Sequence, residues 1–210
     1  MLSVITLSLG QLQTNCHIVY DDSTLKALVI DPGDESDKII SVIDNKHLLV
    51  EAVILTHGHF DHIAAVDDVS KKYNAQIIIN KNDMNFLKNP DYNLSSRFIN
   101  GGIIITNDNV IAVNDCKMLF LDREFEFIST PGHSPGSMCI KVENMLFTGD
   151  TLFYMSVGNE FPPFGSFDLE LKSIKNRLLV LKGDYVCYCG HGPSTTLDYE
   201  RNNNPYLEQF

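Results

Sequence analysis

The sequence predicts an α/β protein in which two β-sheets lie face to face with helices on their outer surfaces. Three observations carry that expectation. The chain holds two separate runs of short apolar, strand-like segments, and each run is accompanied by segments whose apolar residues recur at helical spacing. No low-complexity tract or linker interrupts the 210 residues, a length that suits a single domain over 1–210 with a substantial core. The pattern does not fix the topology of such a two-sheet core.

The first run opens with SVITL (3–7), CHIVY (16–20) and KALVI (26–30), separated by turn-rich GQLQTN and DDST, which predicts antiparallel strands. After DPGDE breaks the pattern, residues 35–47 place Ile39, Ile40 and Ile43 at helical intervals. EAVIL (51–55) reads as a buried strand that runs directly into THGHFDH (56–62). An amphipathic helix over 63–73 and a buried strand AQIII (75–79) follow, the order expected of an α/β unit. Residues 80–109 are polar and asparagine-rich, with a short helix predicted over 81–89 and stopped by Pro90. A stretch of that length calls for short helical pieces or a lid over a site. The second run comprises KMLFL (117–121), FEFIS (125–129), SMCIKV (137–142) and MLFTG (145–149), then a helix over 167–181 and a last strand in DYVCYCG (184–190).

With 27 acidic against 16 basic residues, the formal charge of -11 disfavours nucleic acid and anionic lipid as partners and leaves a small-molecule substrate. No apolar run approaches the roughly 18 residues of a membrane span. The first 15 residues lack the basic region and apolar core of a signal peptide, and five scattered cysteines read as reduced thiols. Both point to the cytoplasm. Oligomeric state is not legible.

THGHFDH holds three of the chain's seven histidines and an aspartate. His57 and His59 stand two apart in an extended loop, so both side chains point one way, while Asp61 and His62 sit where a helix begins. Imidazole and carboxylate suit a borderline divalent ion such as zinc, manganese or ferrous iron. Four residues cannot close two metal sites, so further ligands must come from elsewhere. His133 follows FEFIS, Asp150 follows MLFTG and His191 follows the last strand, each at a strand's downstream end, where α/β loops build sites. Seven donors fit two metals, three apiece and one shared. His17, in an apolar strand, and His47, near a helix end, read as structural, and Cys187 and Cys189 as core. Phe153, Tyr154 and the EFPPF stretch (160–164) are candidates for an apolar substrate wall.

His57, His59, Asp61 and His62 complete an H-x-H-x-D-H motif, and with VIDPGD (29–34), TPGHSPGS, FTGDTLF and GHGPSTTLDYERNNNPYL the chain resembles the metallo-β-lactamase superfamily over nearly its whole length. Within it, the likeness is to compact glyoxalase II-like hydrolases. The resemblance implies a four-layer αββα sandwich of two mixed sheets. It also implies two divalent ions, zinc first and iron or manganese as alternatives: one held by His57, His59 and His133, the other by Asp61, His62 and His191, with Asp150 bridging. A hydroxide between the metals would attack a thioester or related ester, Asp61 would orient it, and Asp31 would accept an N–H from a metal-bound histidine.

The pattern departs from glyoxalase II in two places. The cationic glutathione clamp of a C-terminal helical domain is missing, since Arg201 is the sole basic residue after His191. Asn159 and Glu160 stand where relatives often carry an arginine. The competing readings are a mononuclear iron persulfide dioxygenase-like sulfur oxidoreductase, and a lactone or phosphoester hydrolase of the same superfamily.

Overall fold

The computed structural model describes residues 1–207. The first sheet has six strands in chain order: β1 (Leu2–Leu9), β2 (Thr14–Asp21), β3 (Lys26–Ile30), β4 (Leu49–Ile54), β5 (Gln76–Asn80) and β6 (Val110–Val113). β1 to β3 are antiparallel, as their turn-rich spacers predict, whereas β3 to β6 run parallel. Helices α1 (Ser36–Asn45), α2 (Phe60–Ile63) and α3 (Val66–Tyr73) lie in the crossovers from β3 to β4 and from β4 to β5, and residues 81–109 make the crossover from β5 to β6. The second sheet is assembled from β7 (Cys116–Phe120), β8 (Arg123–Ser129), β9 (Met138–Val142), β10 (Met145–Gly149), β13 (Val186–Cys189) and β14 (Thr195–Thr196), in the order β14-β13-β10-β9-β8-β7. A small hairpin, β11 (Leu152–Phe153) with β12 (Ser156–Val157), follows β10. Helices α4 (Phe167–Ser173) and α5 (Leu197–Asn203) complete the element list.

Alternation along the strands sorts side chains into layers. On β4, Ala52 and Ile54 enter the cluster between the sheets with Phe125, Phe127, Ile140 and Phe147, while Val53 meets α1 and α3 through Ile39, Ile43, Val66 and Val69. Cys139, Leu146 and Cys187 face outwards from the second sheet onto Ile174, Leu178 and Leu197. The result is two mixed sheets flanked by helices, the expected αββα sandwich. Phe125 is wholly buried between the sheets. Phe125→Ala is expected to cost about 3–5 kcal/mol, read from urea unfolding midpoints at unchanged m-value.

Three local expectations are corrected. The helix predicted over 63–73 is broken between α2 and α3, because the N–H of Ala65 donates to Pro32 O (3.0 Å) and so leaves the helical ladder. The helix predicted over 167–181 ends earlier, as α4 widens into a π-turn over Ile174–Leu178. That predicted over 81–89 is a 3₁₀ turn, Lys81–Leu87, capped by the Asn80 side chain on the N–H of Asn82.

Candidate metal centre

β8 and β10 both run antiparallel to β9, and β10 runs parallel to β13, so the downstream ends of β8, β10 and β13 share one edge of the second sheet. The loop after β4 reaches the same place from the first sheet. His57, His59 and His133 therefore gather, as do Asp61, His62 and His191, with donor atoms in each triplet within 4.8 Å of one another. Asp150, directly after β10, stands between the triplets: its Oδ2 lies 3.5 Å from Nε2 of both His133 and His191, and its Oδ1 lies 3.3 Å from His62 Nε2. Gly190 permits this approach, since a Cβ there would fall 2.2 Å from Asp150 Oδ1.

The outward nitrogens are fixed by hydrogen bonds on the opposite side of each ring. His62 Nδ1 meets Asp31 Oδ2 (2.9 Å), His133 Nδ1 meets the carbonyl of Asn159 (2.7 Å) and His191 Nδ1 meets that of Leu12 (3.1 Å). His57 Nδ1 meets Thr56 Oγ1 (3.1 Å), whose own proton goes to Asp31 Oδ2 (2.6 Å). In the neutral form, with Nδ1 donating, Nε2 of each of these four rings would turn its lone pair towards the cluster. Nδ1 of His59 faces Nε2 of His133 at 2.9 Å. Burial is the main reason that His57, His59 and His133 resist protonation, His59 falling to about 3. Burial also opposes protonation of His62 and His191, but the carboxylates of Asp150 and Asp61, joined at His62 by Asp31, outweigh it, and His191 rises to about 9.

This donor set fits a cation better than it fits its own neighbours. Among the described residues, four buried side-chain polar atoms have no hydrogen-bond partner, and three are His57 Nε2, His62 Nε2 and Asp150 Oδ1. Unpaired buried atoms are costly unless something else satisfies them. The fourth is Oε1 of Glu170, whose Oε2 accepts the backbone N–H of His133.

Asp31 is buried and joins the cluster as described, also accepting the N–H of Thr56 (2.7 Å). Asp31→Ala is expected to weaken metal affinity about 10–100-fold, checked by competition with a chromophoric chelator. Phe153 stands edge-on to His191, with ring centres 6.2 Å apart. Tyr154 is exposed and stacks on Tyr199. Phe161, from the EFPPF stretch, meets His59 and His133 edge-on at 5.6 and 5.5 Å. His17 is buried outside the cluster between Thr6 and the carbonyl of Cys189.

Residue-by-residue reading missed Asp83 and Thr14. Asp83 is fully buried on the 3₁₀ turn after β5 and accepts from Gly58 N (2.9 Å), Ser134 Oγ (2.6 Å) and Gly136 N (2.6 Å). One carboxylate thus ties together the loops bearing His57 and His59 on one side and His133 on the other. Thr14 Oγ1 donates to Asp61 Oδ2 (3.0 Å). The available signal was the glycine inside each ligand loop: a Cβ on Gly136 would lie 2.6 Å from Asp83.

The fold and this donor set together define the class, a metal-dependent hydrolase. The chain belongs to the metallo-beta-lactamase superfamily, which its residues 9–191 match. It is similar to the probable metallo-hydrolase YqgX of Bacillus subtilis (strain 168), 34% identical with 97% of each chain covered. It is also similar to the hydroxyacylglutathione hydrolase GloC of Haemophilus influenzae, 31% identical with 93% of each covered. Among solved structures, the BLEG-1 B3 metallo-beta-lactamase superposes with a TM-score of 0.91 at 33% identity, covering 99% of this chain and 100% of that one. TTHA1623 in a di-iron-bound form gives 0.85 at 30% identity, covering 97% and 100%. No helix among the described residues is long and apolar enough to cross a membrane.

Proposed function

We propose that the protein is a dinuclear metal-dependent hydrolase that cleaves a thioester or related activated ester, with glyoxalase II-like chemistry. His57, His59 and His133 hold one divalent ion, Asp61, His62 and His191 the other, and Asp150 serves both. The observation that carries this reading is the position of Asp150, equidistant from a histidine of each triplet. Imidazole and carboxylate donors suit a borderline divalent ion, zinc first, with iron or manganese as alternatives.

Bound divalent ions supply carbonyl polarisation and lower the pKa of water from about 15.7 to about 7. The chain's own groups do the rest. Burial keeps His57, His59 and His133 unprotonated at neutral pH, whereas His62 and His191 would give up a proton to a bound metal. Asp61, anchored through Oδ2 by Thr14, is positioned to accept a hydrogen bond from the attacking water and aim it. A thiolate leaves without a strong general acid, since a thiol's pKa is only about 8.5. The described cysteines are all free thiols, in keeping with a cytoplasmic setting.

The test is a screen of protein loaded with zinc, iron or manganese against S-lactoylglutathione, other thioesters, esters, lactones and phosphoesters, with oxygen uptake followed in parallel. Thioester turnover that a chelator abolishes and metal restores is the expected result. Turnover confined to phosphoesters or lactones, or oxygen consumption with a persulfide, would replace the assignment.

A further inference from the structure

Beside the donor cluster lies a cavity of about 260 Å³ whose lining includes Asp61 but none of the candidate histidine ligands. Its wall brings together Leu12, on the turn between β1 and β2, Phe60 at the start of α2, and Phe98 and Ile99 from the stretch before β6. The rings of Phe60 and Phe98 stack with centres 5.1 Å apart, and the N–H of Phe60 donates to Asn93 O (2.9 Å), which ties that stretch to α2. Leu12, Phe98 and Ile99 are 53%, 69% and 38% exposed. Single exposed apolar side chains need no explanation, but three converging on one cavity mark a binding surface. The only charged residues in the lining are Asp34 and Asp61, and no lysine or arginine is present there among the described residues.

The cavity adjoins the candidate metal centre. Asp61 belongs to both, and the carbonyl of Leu12 accepts from His191 Nδ1, so one turn shapes the cavity and holds a metal-facing ring. We propose that this cavity takes the uncharged, apolar acyl arm of the substrate next to its scissile carbonyl, and that it selects against an anionic group on that arm. The inference rests on the hydrolytic reading above. Asp34, with no lysine or arginine in the lining to offset it, disfavours an anionic arm, and the apolar wall gains from each methylene that enters it.

The chain has no tryptophan, so Phe98→Trp places a single fluorescent reporter in the wall. Metal-loaded F98W is titrated with butanamide, hexanamide and octanamide, uncharged ligands that carry the carbonyl and an apolar arm. Saturable emission changes are expected, with binding tightening roughly three- to fourfold per methylene until the cavity is filled. Leu12→Asp in the same background should weaken octanamide binding at least about tenfold, and calorimetry on the unaltered protein should reproduce the chain-length trend. In turnover, an octanoyl group carried on neutral N-acetylcysteamine should give a higher kcat/KM than an acyl group of similar length that ends in a carboxylate, carried on the same thiol. Affinity independent of chain length, or a higher kcat/KM for the carboxylate-ended thioester, would overturn the proposal. If neither thioester turns over, the hydrolytic reading fails, while the fluorescence titration still decides what the cavity binds.

Discussion

Replacing Asp150 with alanine is expected to remove at least one metal ion per chain and to lower kcat/KM about a thousandfold or more, because several kcal/mol of transition-state stabilisation depend on metal polarisation. The cause is geometric: one carboxylate serves both triplets, so both lose a donor at once. Burial alone would raise the pKa of Asp150, but His62, His191 and His133 hold it well below the usual carboxylate range, so it stays anionic throughout the working pH range. The substitution has a second signature. In the metal-free protein His191 keeps its proton up to about pH 9, so metal entering at pH 7.5 must displace that proton, and affinity rises with pH towards 9. Without Asp150 the imidazole loses part of the field that holds the proton, and less acid is released on loading. Elemental analysis and indicator-dye titration check both. A metal-replete, fully active D150A protein would remove the shared carboxylate from the scheme, as a fully active His59→Ala protein would remove the first triplet.

Asp83→Ala should be the most damaging change outside the donor set. It leaves Gly58 N, Ser134 Oγ and Gly136 N in the interior without their acceptor, at about 1–3 kcal/mol each before relaxation. A net loss of about 3–5 kcal/mol in unfolding free energy is expected, together with weaker binding at the His57, His59 and His133 triplet. Asp83→Asn keeps an acceptor and should restore much of the stability. Ser134 and the two amides all donate, so the new NH₂ meets donors, and recovery will be partial. Denaturant melts of the two variants, run with metal and with chelator, separate the effect on folding from the effect on the site.

The legible parts of this molecule are those whose signal is local. Ile39 and Ile43 announce α1 by spacing, and the apolar runs of β3, β4 and β5 announce buried strands by composition. The donors could be picked out because His57, His59, His133, Asp150 and His191 lie in loops just after strands and Asp61 and His62 open the helix after β4, so element order already places them near strand ends. What was missed is held by partners distant in sequence. β6 is half exposed and forms by pairing with β5. α5 (LDYERNN) carries little apolar periodicity; Glu200 anchors it from the inside, accepting from Thr195, Asn204 and the N–H of Met155. Asp83 looks like one more acidic residue in a polar stretch until the fold brings Gly58 and Gly136 to it. The break at Ala65 likewise needs Pro32, which no helical pattern can supply.

Each half of the chain contributes one sheet, and each donor triplet draws from both: His57 and His59 with His133, and Asp61 and His62 with His191. An ion seated there would act as a removable rivet between the halves, working as a cross-link without a covalent bond. Thermal resistance should then follow free metal concentration, gaining about 2.7 kcal/mol at one hundred times the dissociation constant. In a cell short of metal, such a protein would lose durability along with catalysis.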